Sequence, residues 1–386
     1  MNAIYFDHNA TTKLDPAVLQ AMLPWLENQS GNPTSRHRFG RKAREAVEEA
    51  RRQVAQACGA QASQVIFTAS GTEANNFAIK GMASYLPHGQ ILTSAIEHPC
   101  VTAPASAMRS LGYTHQVIPV NTNGEVDEVI LEDLLTTPTS LVSVMSANNE
   151  TGVIQNVAQV AEKARQAKAL IHSDAVQMIG KMSLNFNELN VHAMSVSSHK
   201  IHGPQGAAAL ILDKRVDITP LLHGGGQERG LRSGTENVAA LVGFGMACDL
   251  AVSNLAASQQ KVRALRDHLE NGLQSLNMQY ELTIFGNQAK MRLPNTSFFA
   301  IRDIEGETLV NAIARKGFAV ASGSACSSDS PDPSHVLLAM GVDKDLARGA
   351  VRVSLGPNNT VEQIDQFLIV LSDEARRLKQ LTSVAA

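Results

Sequence analysis

The chain predicts an α/β fold: a large domain with a mostly parallel sheet flanked by helices, joined to a smaller α+β domain. Three observations predict it. Between residues 64 and 212, short strand-like apolar runs alternate with helix-length amphipathic stretches, the order of successive βαβ units. Beyond a glycine-rich segment at 223–230 and a long helical region, the pattern becomes shorter and more mixed. At 386 residues the chain is also longer than one simple core supports.

The elements follow in order. Residues 5–12 form a short extended piece ending in polar turn residues. Asp15-Pro16 then sets an N-cap residue before a proline at the first helical position. After a turn at 31–35, charged residues alternate with alanine and valine at helical spacing from Arg38 to about Ala57, closed by Gly59. Strands are expected at 65–68, 90–93, 114–119, 141–145, 170–173, 193–197 and 207–212, and helices at 71–83, 99–111, 127–135 and 157–168. A helical region over 236–277 leads to strands near 282–285 and 296–300, a helix over 306–316, and strands near 318–321 and 351–354. The domain boundary is expected near residue 260. This gives a large domain over 15–260 and a small one made of 1–14 and 261–386, the N-terminal residues packing back onto the latter.

Composition narrows the function classes. A net charge of −3 leaves no basic field for nucleic acid and no polybasic membrane patch. Apolar runs such as 207–212 are far too short to span a bilayer. The first residues lack a basic region followed by an apolar one, so no signal peptide is expected and the chain reads as cytoplasmic. Cys58, Cys100, Cys248 and Cys326 are scattered without C-x-x-C pairing, against both a structural zinc site and a disulfide framework. The first three sit beside alanine or valine and read as small buried hydrophobes. His172, His192, His202 and His223 show no ligand spacing, so no metal site is expected.

One stretch organises the rest. Residues 192–206 begin as an alternating run and break at Gly203-Pro204, with Lys200 just before the break among hydroxyls and imidazoles. A lysine so placed suits a Schiff-base role; by itself it equally fits a surface loop. Ser70-Gly71-Thr72-Glu73 lies where a strand meets a helix, and N–H groups there form a phosphate site. The same residues also spell an ordinary capping box. Asp174 stands at the carboxyl end of a buried strand, where open α/β sheets bind ligands. It suits holding a protonated ring nitrogen or capping the next helix. Phosphate cradle, aspartate and lysine together form a pyridoxal phosphate pattern, more specific than its parts.

Three further residues carry chemistry. His98, in Glu97-His98-Pro99, suits stacking on a cofactor ring and moving protons, or hydrogen bonding at a helix start. Residues 322–330 are small and polar around a single cysteine, Cys326, and read as an exposed, mobile loop in which a free thiol is a liability unless used. Arg352 alternates with Val351 and Val353 and so points away from the apolar face. There it would clamp a substrate carboxylate or make a surface salt bridge.

The motifs at 5–12, Asn32-Pro33 with Arg38-Phe39-Gly40, 70–73, Glu97-His98-Pro99, 147–152, 172–177, 197–204, Arg232-Ser233-Gly234-Thr235-Glu236-Asn237 and 322–327 occur in one order. Over nearly the whole chain they resemble the cysteine desulfurases of the class V pyridoxal-phosphate aminotransferase family, the type serving iron–sulfur cluster assembly or nitrogenase maturation. The resemblance implies a fold-type I enzyme in which Lys200 carries pyridoxal 5′-phosphate as a Schiff base. Asp174 would pair with the ring nitrogen, Gln177 would bond the phenolic oxygen, and His98 would stack on the ring and assist proton transfer. Gly71, Thr72, Ser197 and His199 would hold the phosphate. Ser198, where many members have glycine, falls among the cofactor-binding residues, and Thr235 would arrive from the second subunit of a homodimer.

Asn149 would contact cofactor and substrate, and Arg352 the substrate carboxylate. Cys326 would take sulfur from L-cysteine as a persulfide, leaving L-alanine, and pass it to an iron–sulfur scaffold or another acceptor protein. It would be no more than a transient iron–sulfur ligand, with no resident metal implied. A selenocysteine lyase or an aminotransferase on the same scaffold is the alternative, separated by Cys326. A non-catalytic relative would lack the cofactor linkage altogether.

Overall fold

The computed structural model describes residues 3–323 and 332–385. Its main sheet has seven strands in the spatial order Val65–Thr68, Ala208–Leu212, Ala193–Ser197, Leu170–Asp174, Thr139–Ser143, Gln90–Ser94 and Thr114–Ile118. Every pairing is parallel except the two made by Ala208–Leu212. The inner strands are buried on both faces, which is why they read as continuous apolar runs. The faces separate by alternation: Val65 and Phe67 join one core with Val47, Val54 and Phe244, while Ile66 joins another with Phe77, Ile79 and Ile91. At the open edge, Thr114–Ile118 carries polar, exposed residues.

The second sheet is antiparallel, in the order Ala321–Ser322, Ala350–Ser354, Thr296–Ile301, Leu282–Ile284. Phe299, Val351 and Val353 pack against Leu265, Leu269 and Leu273 of the helix Leu255–Tyr280, and against Ile364, Phe367 and Leu371 of the helix Val361–Ala385. The N-terminal strand Ile4–Tyr5 pairs with Phe318–Ala319, and Asp7 bridges to Ser354. No single helix among the described residues is long and apolar enough to cross a membrane.

Several elements differ from expectation for identifiable reasons. The helical region over 236–277 is two helices, Val238–Ser253 and Leu255–Tyr280, bent by 72°. Asn254 Nδ2 folds back onto the Leu250 carbonyl at 2.9 Å, the local competition that makes asparagine a poor helix interior residue. The strand expected at 141–145 is Thr139–Ser143, because the Met145 N–H is taken by Glu97 Oε1 at 2.6 Å. The run 318–321 divides between two sheets. The chain ends in the further helix Val361–Ala385, where Thr360 and Gln363 exchange reciprocal 3.3 Å hydrogen bonds at the start, a capping box legible in the sequence.

Buried imidazoles set an acid limit on the fold. Loss of hydration on burial lowers His8, His192 and His199 to about 4 and His172 to about 3. The unfolded imidazoles take their protons near pH 6.5, so between about 6.5 and 4 the unfolded chain binds more protons and stability falls as pH falls. Buried Glu97, pushed up to about 8, and Glu150, also raised, act the other way, since the folded chain keeps their protons longer. Four imidazoles outweigh two carboxyls. The urea midpoint is therefore expected to drop between pH 6.5 and 4.5; a midpoint that rises over that interval contradicts this assignment.

Candidate active site

The strand Ala193–Ser197 runs into a single tight turn, Ser198–Lys200, which delivers Lys200 to the carboxyl edge of the main sheet. Gly203 closes the turn: a Cβ there would lie 2.1 Å from Ser198 Oγ. Lys200 Nζ donates to the Asn9 carbonyl at 2.7 Å and the Ala10 carbonyl at 2.6 Å. The first extended segment of the chain therefore rests on the lysine that the last parallel strand presents.

Ten of the residues singled out in the sequence meet in one cavity of about 440 Å³: Gly71, Thr72, His98, Asn149, Asp174, Gln177, Ser197, His199, Lys200 and Arg352. Two others, Ser198 and Thr235, do not line it. Ser198 is fully buried, with Oγ turned toward Gly203, so its side chain is placed outside the cavity, contrary to its grouping with the cofactor-binding residues. Thr235 is exposed on a loop and is not among its lining residues. Cys326 lies outside the described residues.

At one end of the cavity a helix begins at Gly71. Ser70 Oγ accepts from Glu73 N at 3.1 Å and Glu73 Oε2 accepts from Ala69 N at 2.9 Å. These side chains supply the cap, leaving the Gly71 and Thr72 N–H groups without intrahelical acceptors. The two readings of this motif, cap and anion cradle, are thus compatible. Arg232 grips Glu73 from the later loop at 2.7 Å. Opposite, Ser197 Oγ is buried with no hydrogen-bond partner among the described residues. His199 Nδ1 pairs with Thr11 Oγ1 at 3.1 Å.

Asp174 ends the strand Leu170–Asp174 and is 7% exposed. Its Oδ1 accepts from Val176 N at 3.0 Å and its Oδ2 from Asn75 Nδ2 at 2.7 Å. Asn75 Nδ2 also donates to Cys100 Sγ at 3.0 Å. Cys100 is therefore more than the buried small residue its neighbours suggested: it lines the cavity, 2.9 Å from His98 Nδ1. Burial first, then the Asp174 charge, pushes its thiol up to about 12, so it stays protonated.

His98 caps the helix Pro99–Ala107 through Nδ1, which accepts from Cys100 N at 3.1 Å. Accepting there leaves the proton of the neutral ring on Nε2. Burial chiefly lowers the His98 pKa, against the pull of Asp174 and with the repulsion of Lys200 and His335. Asn149 is presented by a loop that Asn148 organises: its Oδ1 accepts from Glu150 N and Thr151 N, both at 2.9 Å. Arg352, 6% exposed, pairs with Asp7 Oδ1 at 2.7 Å and donates to the Asn149 carbonyl at 3.0 Å, while its Nε is buried with no hydrogen-bond partner among the described residues.

These residues fit pyridoxal phosphate. An anion cradle with an unpartnered buried hydroxyl, a carboxylate fixed by two donors and a lysine surround one cavity of suitable size. Among the described residues no group of three or more His, Cys, Asp or Glu side chains is arranged to hold a metal ion.

Comparison with known proteins agrees with this geometry. The chain matches the aminotransferase class V family over residues 4–367. It is 40% identical over 383 residues to a cysteine desulfurase of Nostoc sp., covering 99% of this chain and 95% of that relative. It is 39% identical over 381 residues to the cysteine desulfurase IscS of Dictyoglomus turgidum, covering 98% and 96%. A solved NifS-like protein from Rickettsia africae superposes with a TM-score of 0.87 at 37% identity, over 96% of this chain and 99% of that one. With a family match running almost end to end and the lysine, aspartate and anion cradle gathered in one cavity, this chain belongs to the class V aminotransferase family.

Proposed function

We propose that the chain is a pyridoxal-phosphate-dependent cysteine desulfurase, converting L-cysteine to L-alanine and transferring the sulfur through Cys326. The observation that carries this reading is the meeting of Lys200, Asp174 and the unpartnered Ser197 hydroxyl in one cavity. The names of the full-length relatives support the choice of substrate. Pyridoxal phosphate, when bound, supplies an electron sink for the carbanion at the substrate Cα. Lys200 would carry it, Gly71, Thr72, Ser197 and His199 would hold its phosphate, and Asp174 its ring nitrogen.

The chain's own groups do the rest. Arg352 binds the substrate carboxylate, and Asn149 helps to orient the substrate beside it. The Lys200 amine takes the Cα proton, and the Asn9 and Ala10 carbonyls are the acceptors on which the resulting ammonium rests. His98 relays a proton through Nε2. The Cys326 thiolate bonds to the substrate sulfur as the Cβ–S bond breaks. That bond's electron pair passes to carbon, which is then protonated to give alanine, and the persulfide remains on Cys326.

The wider assignments belong to the same proposal. The two sheets with separate apolar clusters support a large domain over 15–260 and a small one from 1–14 and 261–386. Thr235, exposed and not among the lining residues of its own cavity, is the residue given to the partner's site in a homodimer. The setting is cytoplasmic and the acceptor an iron–sulfur scaffold or similar protein.

Cys326→Ala tests the reaction. With L-cysteine and a thiol reductant, the variant is expected to lose sulfide and alanine formation while keeping the visible absorbance of the bound cofactor. Undiminished sulfide release from the variant would overturn the persulfide route.

A further inference from the structure

Gln177 is held from two sides. Its Nε2 donates to the Asn9 carbonyl at 3.0 Å, and its Oε1 accepts from Lys181 Nζ. Lys181 Nζ also donates to Asn9 Oδ1 at 2.8 Å. Asn9 is itself immobilised: its N–H reaches Ser354 Oγ at 2.9 Å, its Nδ2 reaches the Asn149 carbonyl at 3.0 Å, and its Oδ1 accepts from Asn295 Nδ2 at 2.9 Å. A carboxamide exchanges donor for acceptor when it flips. A flipped Gln177 would set its oxygen against the Asn9 carbonyl and its NH2 against the Lys181 donor, turning two hydrogen bonds into two repulsions. One Nε2–H is left over, and Gln177 lines the active-site cavity.

We infer that Lys181 is a positioning residue that locks the Gln177 carboxamide with its spare N–H toward the cavity, where it meets the phenolic oxygen of the bound cofactor. The inference rests on the cofactor reading proposed above. The lock is tightest with Lys181 as the ammonium, which has no lone pair to accept from a flipped NH2. The neutral amine still carries N–H groups for both acceptors, and the clash of a flipped oxygen with the Asn9 carbonyl remains. Burial and the neighbouring charges of Lys200 and Arg352 lower its pKa, and His8 is the other titratable group it acts on. Its far side borders a second cavity of about 210 Å³ that His8, His202 and Gln259 also line.

The test is the pH midpoint of the holoenzyme's visible absorbance band. A donor on the phenolic oxygen makes that oxygen less basic, so losing the alignment raises the midpoint. Lys181→Met is expected to raise it by about one pH unit, with Lys181→Arg close to wild type. Gln177→Ala should raise it by itself, and adding Lys181→Met to Gln177→Ala should change nothing further. Where Lys181→Met does not fold, Lys181→Ala reads the same midpoint with the same expectation. An unmoved midpoint in the Lys181 variant, or a full additional shift on the Gln177→Ala background, overturns the inference. A wild-type chain with no borohydride-sensitive visible band would instead overturn the cofactor reading.

Discussion

Lys200→Ala is expected to abolish turnover of L-cysteine, with kcat falling by at least about 10²–10⁴-fold, the range for loss of a positioned proton-transfer group. Lys200 has two tasks, cofactor attachment and removal of the Cα proton, so the loss should exceed that of any other single replacement in the cavity. The cradle has supports of its own: Ser70 and Glu73 cap their helix, and Asn75 and Val176 fix Asp174. The variant should therefore still take up pyridoxal phosphate non-covalently, as a fluorescence titration would register. Turnover within tenfold of wild type would remove Lys200 from the chemistry.

The second large effect is on stability, at a pair that does not line the cavity. Arg51 and Glu228 form a bidentate pair, both bonds at 2.7 Å, with side chains 6% and 2% exposed. Glu228 Oε2 also accepts from Phe67 N at 2.8 Å, and the guanidinium lies 4.7 Å from the Phe67 ring centroid. The pair joins the helix Arg38–Ala57 and the strand Val65–Thr68 to the loop that carries Arg232 and Thr235. Arg51→Met takes both guanidinium bonds from the buried Glu228 carboxylate, and is expected to cost about 3–5 kcal/mol in denaturant unfolding. Arg51→Met with Glu228→Gln should recover part of that loss, because the stranded charge is gone. A single variant within 0.5 kcal/mol of wild type would show that the charge finds other compensation.

Much of the site was legible because α/β topology gives sequence position a spatial meaning. Ser70, Asp174 and Lys200 each follow closely on the carboxyl end of a main-sheet strand, so they share one edge. The dual readings at Ser70–Glu73, Asp174 and His98 arose because capping and ligand binding use the same atoms' neighbours. The structure shows side chains capping with one atom and leaving another for the cavity.

What the sequence left hidden is mostly long-range. Asn9 acts through contacts with Asn149 and Ser354, 140 and 345 positions away, and no local pattern encodes these. Arg352 pairing with Asp7 is of the same kind. The apolar neighbours of Cys100 hide its place in the site, although its position two residues after His98 puts it within reach of the capping nitrogen. Lys181 follows Gln177 by four residues, which suggests contact on a helix. The contact occurs instead on a run of turns, and only the shared acceptor Asn9 gives it a role.

The most direct measurement is to reduce the holoprotein with borohydride, digest it and locate the lysine that carries the cofactor. The account predicts the adduct on the peptide containing Lys200. An adduct on Lys181, the other lysine bonded to Asn9 in this site, or no adduct on any lysine, would contradict it.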